Sequence, residues 1–405
     1  MKLRILITAT LVLVLVLTAC AGQPQATPTQ QPTKPAAEAT KPAPAPTAPA
    51  AQATKPSAQA TKPAEPAAKA TEPAKPASQP AAANAAVEAF YKGKTITVIV
   101  GNSAGGGYDL YTRLLARHMG KHIPGNPTLI VQNMPGAGSL VATNHLYNAA
   151  AKDGTVFGSV DRGIPGEQLI GTEGVQYDAN KFNWIGSMNE EVSVCVARAD
   201  SPVKTFDEMF SKPLKIGGTG PGADTDMFPN FLNAVLGTKF DLVSGYPGGN
   251  DINLAMERNE VQGRCGWSWS SVKSTRPDWV KNGFINILVQ MALHKHPDLP
   301  NVPLIMDYAK DEKTKNMMEV VFARQTMGRP LVAPPGVPPE RIEALRKAFV
   351  DTMNDPDLKA EAEKSQQELS VISGDDIQKL VARILQTPKD QVDILAKYMA
   401  AERSK

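Results

Sequence analysis

From Thr95 onward, short β-branched runs alternate with stretches of helical periodicity, and a glycine-rich turn marks most of the switches. Thr95, Ile96, Thr97, Val98, Ile99 and Val100 read as a buried strand bounded by Gly101. Tyr111, Leu114, Leu115, His118 and Met119 then recur at helical spacing, with Asp109 in the first turn. A second unit repeats the order: strand 128–132, turn 133–138, helix 139–151. Residues 156–160 form a further short strand, and 192–198 a strand leaving this region. Two successive strand–turn–helix units predict a parallel sheet with right-handed crossovers. In such sheets a ligand sits beyond the carboxyl ends of the strands.

The same grammar returns further along. Strand 214–216 feeds the turn 217–224, and helix 227–236 follows, closed by Gly237. Strand 240–243 leads into the turn 245–250 and the helix 251–258, and strands 261–269 and 284–290 complete the set. Near 320–329 the chain crosses back, and the segment 331–339, LVAPPGVPP, introduces helix 339–353. The C-terminal helices are expected to complete the first lobe. The predicted fold is α/β, two lobes joined by crossing strands, with four glycine-rich turns facing one cleft. Residues 88–197 and 323–405 are assigned to the first lobe and 198–322 to the second.

Glycine turns at helix starts suit anions, because the first amides of a helix lack partners and carry partial positive charge. The first turn also fits a second chemistry. Gly101-Asn102-Ser103-Ala104-Gly105 matches G-x-S-x-G between a strand and a helix, the pattern of a hydrolase nucleophile elbow. Serine catalysis would need a histidine and an acid in reach of Ser103. His118, His122 and His145 lie in or beside the first two helices, and His294 and His296 in a polar loop, so none stands in obvious triad context. Hydrolysis is the alternative to binding without turnover. Gly93-Lys94-Thr95 precedes its strand and cannot serve as a P-loop. His118 and His122 are four apart on one helix, but no third ligand accompanies them, so no metal is expected. No cofactor is expected. Trp267 and Trp269 alternate as a half-buried strand does, and with Trp279 they are candidates to stack on a ligand.

The leader and the segment behind it are of another kind. Lys2 and Arg4 precede an apolar run at 5–17 that is short for a membrane span, and Leu17-Thr18-Ala19-Cys20 follows. This resembles the lipobox of bacterial lipoproteins, which implies cleavage after residue 19 and lipidation of Cys20. Residues 1–20 are thus a lipoprotein signal peptide. Residues 21–87 form a disordered stalk: 21–86 hold 14 of the 34 prolines, no aromatic residue, and four copies of Ala-Thr-Lys/Glu-Pro. Extended at ~3.1 Å per residue, the stalk would span on the order of 200 Å. The chain has 405 residues and a formal charge of +3, with both signs interspersed, which speaks against a nucleic-acid surface. Cys195 and Cys265 both sit in strand-like surroundings, and a disulfide and two buried free thiols are both open.

VIVGNSAGGGYDLYTRLLARHM followed by VQNMPGAGSLVATNHLYNAAAKDGT resembles the opening of the tripartite tricarboxylate transporter substrate receptors. The likeness continues through GYPGGNDINLAMERNEVQG and LVAPPGVPPERIEALRKAFVDTMNDPDLKAEAEK. The resemblance implies a type II periplasmic binding protein whose two lobes close over a small organic carboxylate. It implies one carboxylate held by amides and waters from Ser103, Ala104, Gly105, Gly106 and Asp109, and from Pro135, Gly136, Ala137 and Gly138. The second-lobe turns, with Thr219, Gly220, Asp224, Tyr246 and Gly248, would read the rest of the ligand. A two-component membrane permease is the implied partner, and the receptor is expected as an exported, lipid-anchored monomer. Neutral N–H donors would bind the anion without a buried counter-ion, so the empty cleft is expected to keep no unpaired charge. Met134 stands where the family often has a polar residue. Tyr108 stands where it has Thr or Ser, and a tyrosine there would narrow the pocket or stack on a ring.

Overall fold

A computed structural model describes residues 79–403; the leader, Cys20 and most of the stalk lie outside the described residues. The end of the expected disordered stalk is not disordered: residues 79–87 begin the helix Gln79–Tyr91, and Val87 is buried in the first-sheet core with Tyr91, so the apolar face of this helix draws it onto the fold. The strands in chain order are β1 (Thr95–Val100), β2 (Thr128–Asn133), β3 (Val156–Ser159) and β4 (Asn183–Ser187). They continue with β5 (Ser193–Arg198), β6 (Leu214–Gly217), β7 (Phe240–Val243), β8 (Gly263–Ser268) and β9 (Ile285–Met291). The last two are β10 (Pro330–Ala333) and β11 (Ile372–Ser373). They form two sheets, ordered β11-β4-β10-β3-β1-β2 and β7-β6-β8-β5-β9. In each, the strand–turn–helix units give parallel neighbours (β1 with β2 and β3, β6 with β7 and β8), while the crossing strands β10 and β5 pair antiparallel.

The parallel strands are apolar because helices cover both faces of the sheet. Along β1, Ile96 and Val98 enter a core with Tyr111, Leu115, Leu345 and Phe349. Ile99 faces the other way, onto Leu140, Leu146, Trp184 and Val381. Each such side chain is fully removed from water, a contribution of about 1.5–3 kcal/mol apiece. The second sheet has its own two cores, one around Phe228, Phe231 and Met291, the other around Trp267, Trp279 and Ile252.

Three departures from the sequence reading have local causes. Strand β8 stops at Ser268 and the chain turns at once into helix Trp269–Thr275, so Trp269 starts a helix instead of continuing an alternation. Strand β4 has only Trp184 and Ile185 as large apolar residues, too few to stand out as a strand. The C-terminal helix Lys389–Arg403 leaves the first sheet: Leu395 is buried in the second-sheet core with Phe228 and Phe231. The preceding helix, Gly374–Leu385, does cover the first sheet, through Ile377 and Val381 against Trp184.

The two crossings, 188–192 and 323–329, are bonded to each other: Met188 N–H to Arg329 O at 3.2 Å, Gly328 N–H to Asn189 O at 2.8 Å, Glu191 N–H to Gln325 O at 2.9 Å. Cys195 of β5 and Cys265 of β8 are joined in a disulfide, with Cα atoms 3.9 Å apart and both residues fully buried.

Candidate functional site

The carboxyl ends of β1, β2, β6 and β7 deliver the four glycine turns to one seam, where they touch. Gly138 N–H donates to Thr219 O at 2.9 Å and Ser103 N–H to Pro247 O at 3.3 Å. Gly220 shows why glycine is needed here. Its φ is +129°, and a Cβ on it would stand 2.5 Å from Gly138 N and 2.6 Å from the Ala137 carbonyl carbon. Two backbones packed this closely define a shut cleft.

Asp109 holds the first turn from below. It accepts from Gly105 N–H at 2.8 Å and Asn133 Nδ2 at 2.9 Å, and pairs with Arg113 at 2.9 Å. Burial alone would raise its pKa, but these partners hold it below the usual carboxylate value.

Behind the seam lies a cavity of about 50 Å³. Its wall comes from the turn after β1 (Asn102, Gly106, Gly107, Tyr108), the segment after β3 (Asp161, Arg162), Arg329 before β10, and second-sheet residues around Thr219, Asp224, Arg264 and Trp267. Five charged side chains border it, and the expectation of no unpaired charge is overturned by two of them, Arg264 and Asp161. Two of the three arginines are paired. Arg162 donates to Asp224 at 2.7 Å through Nε, to Ser193 Oγ at 2.8 Å and to Gly328 O at 3.1 Å. Burial opposes its charge, yet the facing carboxylates raise its pKa above the ordinary arginine value. Arg329 lies 3.3 Å from Glu191 and donates to Ser268, Ser271 and Gly328 O, its guanidinium 4.8 Å from the Tyr108 ring.

Two charged groups have no ion-pair partner among the described residues. Arg264 donates through Nη1 to Gly249 O at 2.9 Å and Asn253 Oδ1 at 3.1 Å, and its guanidinium lies 4.8 Å from the Trp267 ring. Its Nε is buried without a partner. Burial, then Arg329, push its pKa down to about 9. Asp161 accepts one side-chain hydrogen bond, from Asn102 Nδ2 at 2.8 Å. Burial raises its carboxyl to about 7 against the help of Asn102, and Asp224 adds to the rise.

Of the residues singled out from the sequence, Gly106, Thr219 and Asp224 line the cavity. Ser103, Gly138, Gly220 and Gly248 form the seam, where Gly248 packs on Ser103. Pro135, Gly136 and Ala137 continue the second turn; Pro135 and Ala137 are exposed, as is Ala104. Gly105 is tied to Asp109, and Tyr246 packs into the second-sheet core. Tyr108 narrows the cavity, its Oη accepting from Arg162 N–H at 3.2 Å. Met134 packs beside the first-sheet core. Ser103 Oγ donates to Asp251 at 2.5 Å across the seam, while His118, His122 and His296 pair with Glu361, Asp355 and Glu368. His296, Asp298 and Glu368 cluster, but Lys273 already bonds both carboxylates. Asp161, Arg162, Arg264 and Arg329 escaped the sequence reading. Only Asp161 and Arg162 carried a signal, since they directly follow a predicted strand at its carboxyl end.

Residues 111–395 match the family described as the tripartite tricarboxylate transporter family receptor. The chain belongs to that family. A relative of this receptor from Cupriavidus necator, described as a UPF0065 protein in the gbd 5′ region, is 27% identical over 276 residues, 66% of this chain and 76% of the relative. The UPF0065 protein from the ttuE–ttuC′ intergenic region of Agrobacterium vitis is 30% identical over 166 residues, 39% of this chain and 47% of its own. Among solved structures, the periplasmic binding protein BugD superposes with a TM-score of 0.61 at 20% identity, over 77% of this chain and 98% of BugD. MatC of Rhodopseudomonas palustris with bound malate gives 0.59 at 19% identity, over 74% and 99%. A second R. palustris protein, with adipate, gives 0.60 at 17%, over 75% and 97%. At these identities the likeness carries the fold of the receptor: two α/β sheets arranged as in periplasmic binding proteins.

Proposed function

We propose that the chain is an extracytoplasmic receptor that closes over a small organic carboxylate and presents it to a two-component membrane permease, without turnover. The observation that carries this reading is the shut cleft itself. Four glycine turns from two sheets meet over a polar cavity, in a chain of the transporter-receptor family. The bound malate and adipate in two structural neighbours support a carboxylate as ligand. Two lobes are proposed, one on each sheet; against the expected bounds of 88–197 with 323–405 and 198–322, strand β5 (Ser193–Arg198) and the C-terminal helix Lys389–Arg403 go with the second. Ligand would shift an open–closed equilibrium by binding the closed form more strongly.

Among the described residues no helix is long and apolar enough to cross a membrane. We propose attachment through a lipid on Cys20, with the segment before helix Gln79–Tyr91, residues 21–78, as a stalk and the receptor working as a monomer outside the cytoplasmic membrane. Replacing Cys20 by Ala should move the protein from the membrane fraction to the soluble fraction. Calorimetry with a panel of mono-, di- and tricarboxylates should find at least one ligand in the micromolar range, about −8 kcal/mol. No heat from any of them would sink the receptor reading. Fluorophosphonate labelling separates the alternative, serine hydrolysis at Ser103. The hydroxyl bonded to Asp251, with no histidine beside it among the described residues, should stay unlabelled.

A further inference from the structure

Outside the cleft, the two sheets and their covering helices meet a second time, through charge. Glu368 belongs to the first. Its neighbour Leu369 packs on the first-sheet core, Ser370 N–H donates to Met188 O at 3.0 Å, and Glu190 N–H donates to Ser370 Oγ at 2.7 Å. Tyr111 Oη donates to Glu368 O at 2.9 Å, and Tyr111 stands on helix Gly107–Met119, which starts at the first glycine turn. The groups facing the Glu368 carboxylate belong to the second sheet. Lys273 Nζ donates to Glu368 and, at 2.6 Å, to Asp298, while His296 Nε2 lies 3.3 Å from Glu368. Lys273 follows Trp269 and Val272 of a second-sheet core, and Trp269 Nε1 donates to Asp298 at 3.1 Å. Asp298 thus holds the lysine within its own half of the molecule, and Glu368 is the partner reached from the other half.

None of these four side chains lines the cleft cavity. A separate cavity of about 400 Å³ lies beside them, bordered by Glu190, Val192, Gln325 and Thr326 of the crossings and by the loop 292–297. Packing is interrupted there, and the charged contact bridges the interruption. Burial alone would raise the Glu368 pKa, yet His296 and Lys273 hold it below the usual glutamate value, so it is ionised at neutral pH. With 24% and 35% of their side chains exposed, Lys273 and Glu368 can part and rehydrate, which a fully buried pair cannot do without stranding its charges.

We propose that Lys273 and His296 of one lobe and Glu368 of the other form a reversible latch, made when the cleft is shut and broken when it opens. The latch presupposes the lobe closure proposed above, and sets the closed fraction of the receptor without touching its ligand. A contact made only in the shut form stabilises that form alone, and apparent affinity follows the fraction that is competent to bind.

Hydrogen exchange on the ligand-free full-length chain tests the latch, because Ser103 N–H and Gly138 N–H are bonded across the seam. Glu368→Gln should speed exchange of these two amides about three- to tenfold. Thr97 N–H, bonded to Thr155 O within the first lobe, should keep its wild-type rate. Asp298→Asn breaks a contact inside the second lobe and should leave the seam amides within about twofold of wild type. Raising sodium chloride from about 50 mM to about 500 mM should speed seam exchange in the wild type and not in Glu368→Gln. Seam amides that exchange equally fast in wild type and Glu368→Gln, or an acceleration that extends equally to Thr97, would overturn the latch. The receptor reading would then still stand if any member of the carboxylate panel binds. Failure of the whole panel with the exchange difference intact would remove the receptor reading and leave the latch.

Discussion

Asp161 is the residue on which most turns. Its carboxyl, ordinarily near 3.9 in an unfolded chain, is raised by burial to about 7 among Asp224, Arg162, Arg329 and Tyr108. A raised folded pKa means the folded state holds its proton longer than the unfolded one. The group's contribution to stability is therefore complete below about pH 4 and is lost as the pH rises through 7. Asp161→Asn should match wild type in stability at pH 4 and exceed it at pH 8, by a few kcal/mol at most. Thermal scans of the two proteins across that range check the sign. A difference that does not change with pH would mean that the carboxyl titrates normally.

At the scale of the element, the turn after β1 is built by its helix. Asp109 gathers Gly105 N–H, Asn133 and Arg113 around the first turn of helix Gly107–Met119, so turn, strand β2 and helix share one carboxylate. Asp109→Ala removes all three contacts and should cost about 2–4 kcal/mol in urea unfolding, with an unchanged dependence on denaturant. Asp109→Asn, which keeps an acceptor, should lose less. The strands and turns of this element were legible in the sequence because β-branched runs, glycine clusters and helical spacing each have a direct local cause. The charged wall was not. Nothing local distinguishes Arg264 or Arg329 from a surface arginine, and Asn102, Asp161, Arg264 and Arg329 come together only through tertiary packing. The course of the last helix was hidden for the same reason, since Leu395 does not announce which core it enters.

At the scale of the whole molecule, closure depends on backbone meeting backbone. A side chain on Gly220 cannot fit against Gly138, so Gly220→Val should hold the lobes apart. Small-angle scattering should show a radius of gyration that exceeds wild type and no longer shrinks on adding ligand, with affinity reduced about tenfold or more. The disulfide sets where such motion takes place. Cys195 fastens the crossing strand β5 to β8, the strand that carries Arg264, Trp267 and Ser268. Covalently joined to β8 and hydrogen-bonded to β9, β5 is expected to move with the second sheet. If the lobes move as proposed, the pivot is expected at 188–192 and 323–329, two segments laced together by backbone bonds and by Arg329 with Glu191. Arg329 would then belong both to that paired axle and to the chamber wall, so a ligand touching it would press directly on the joint.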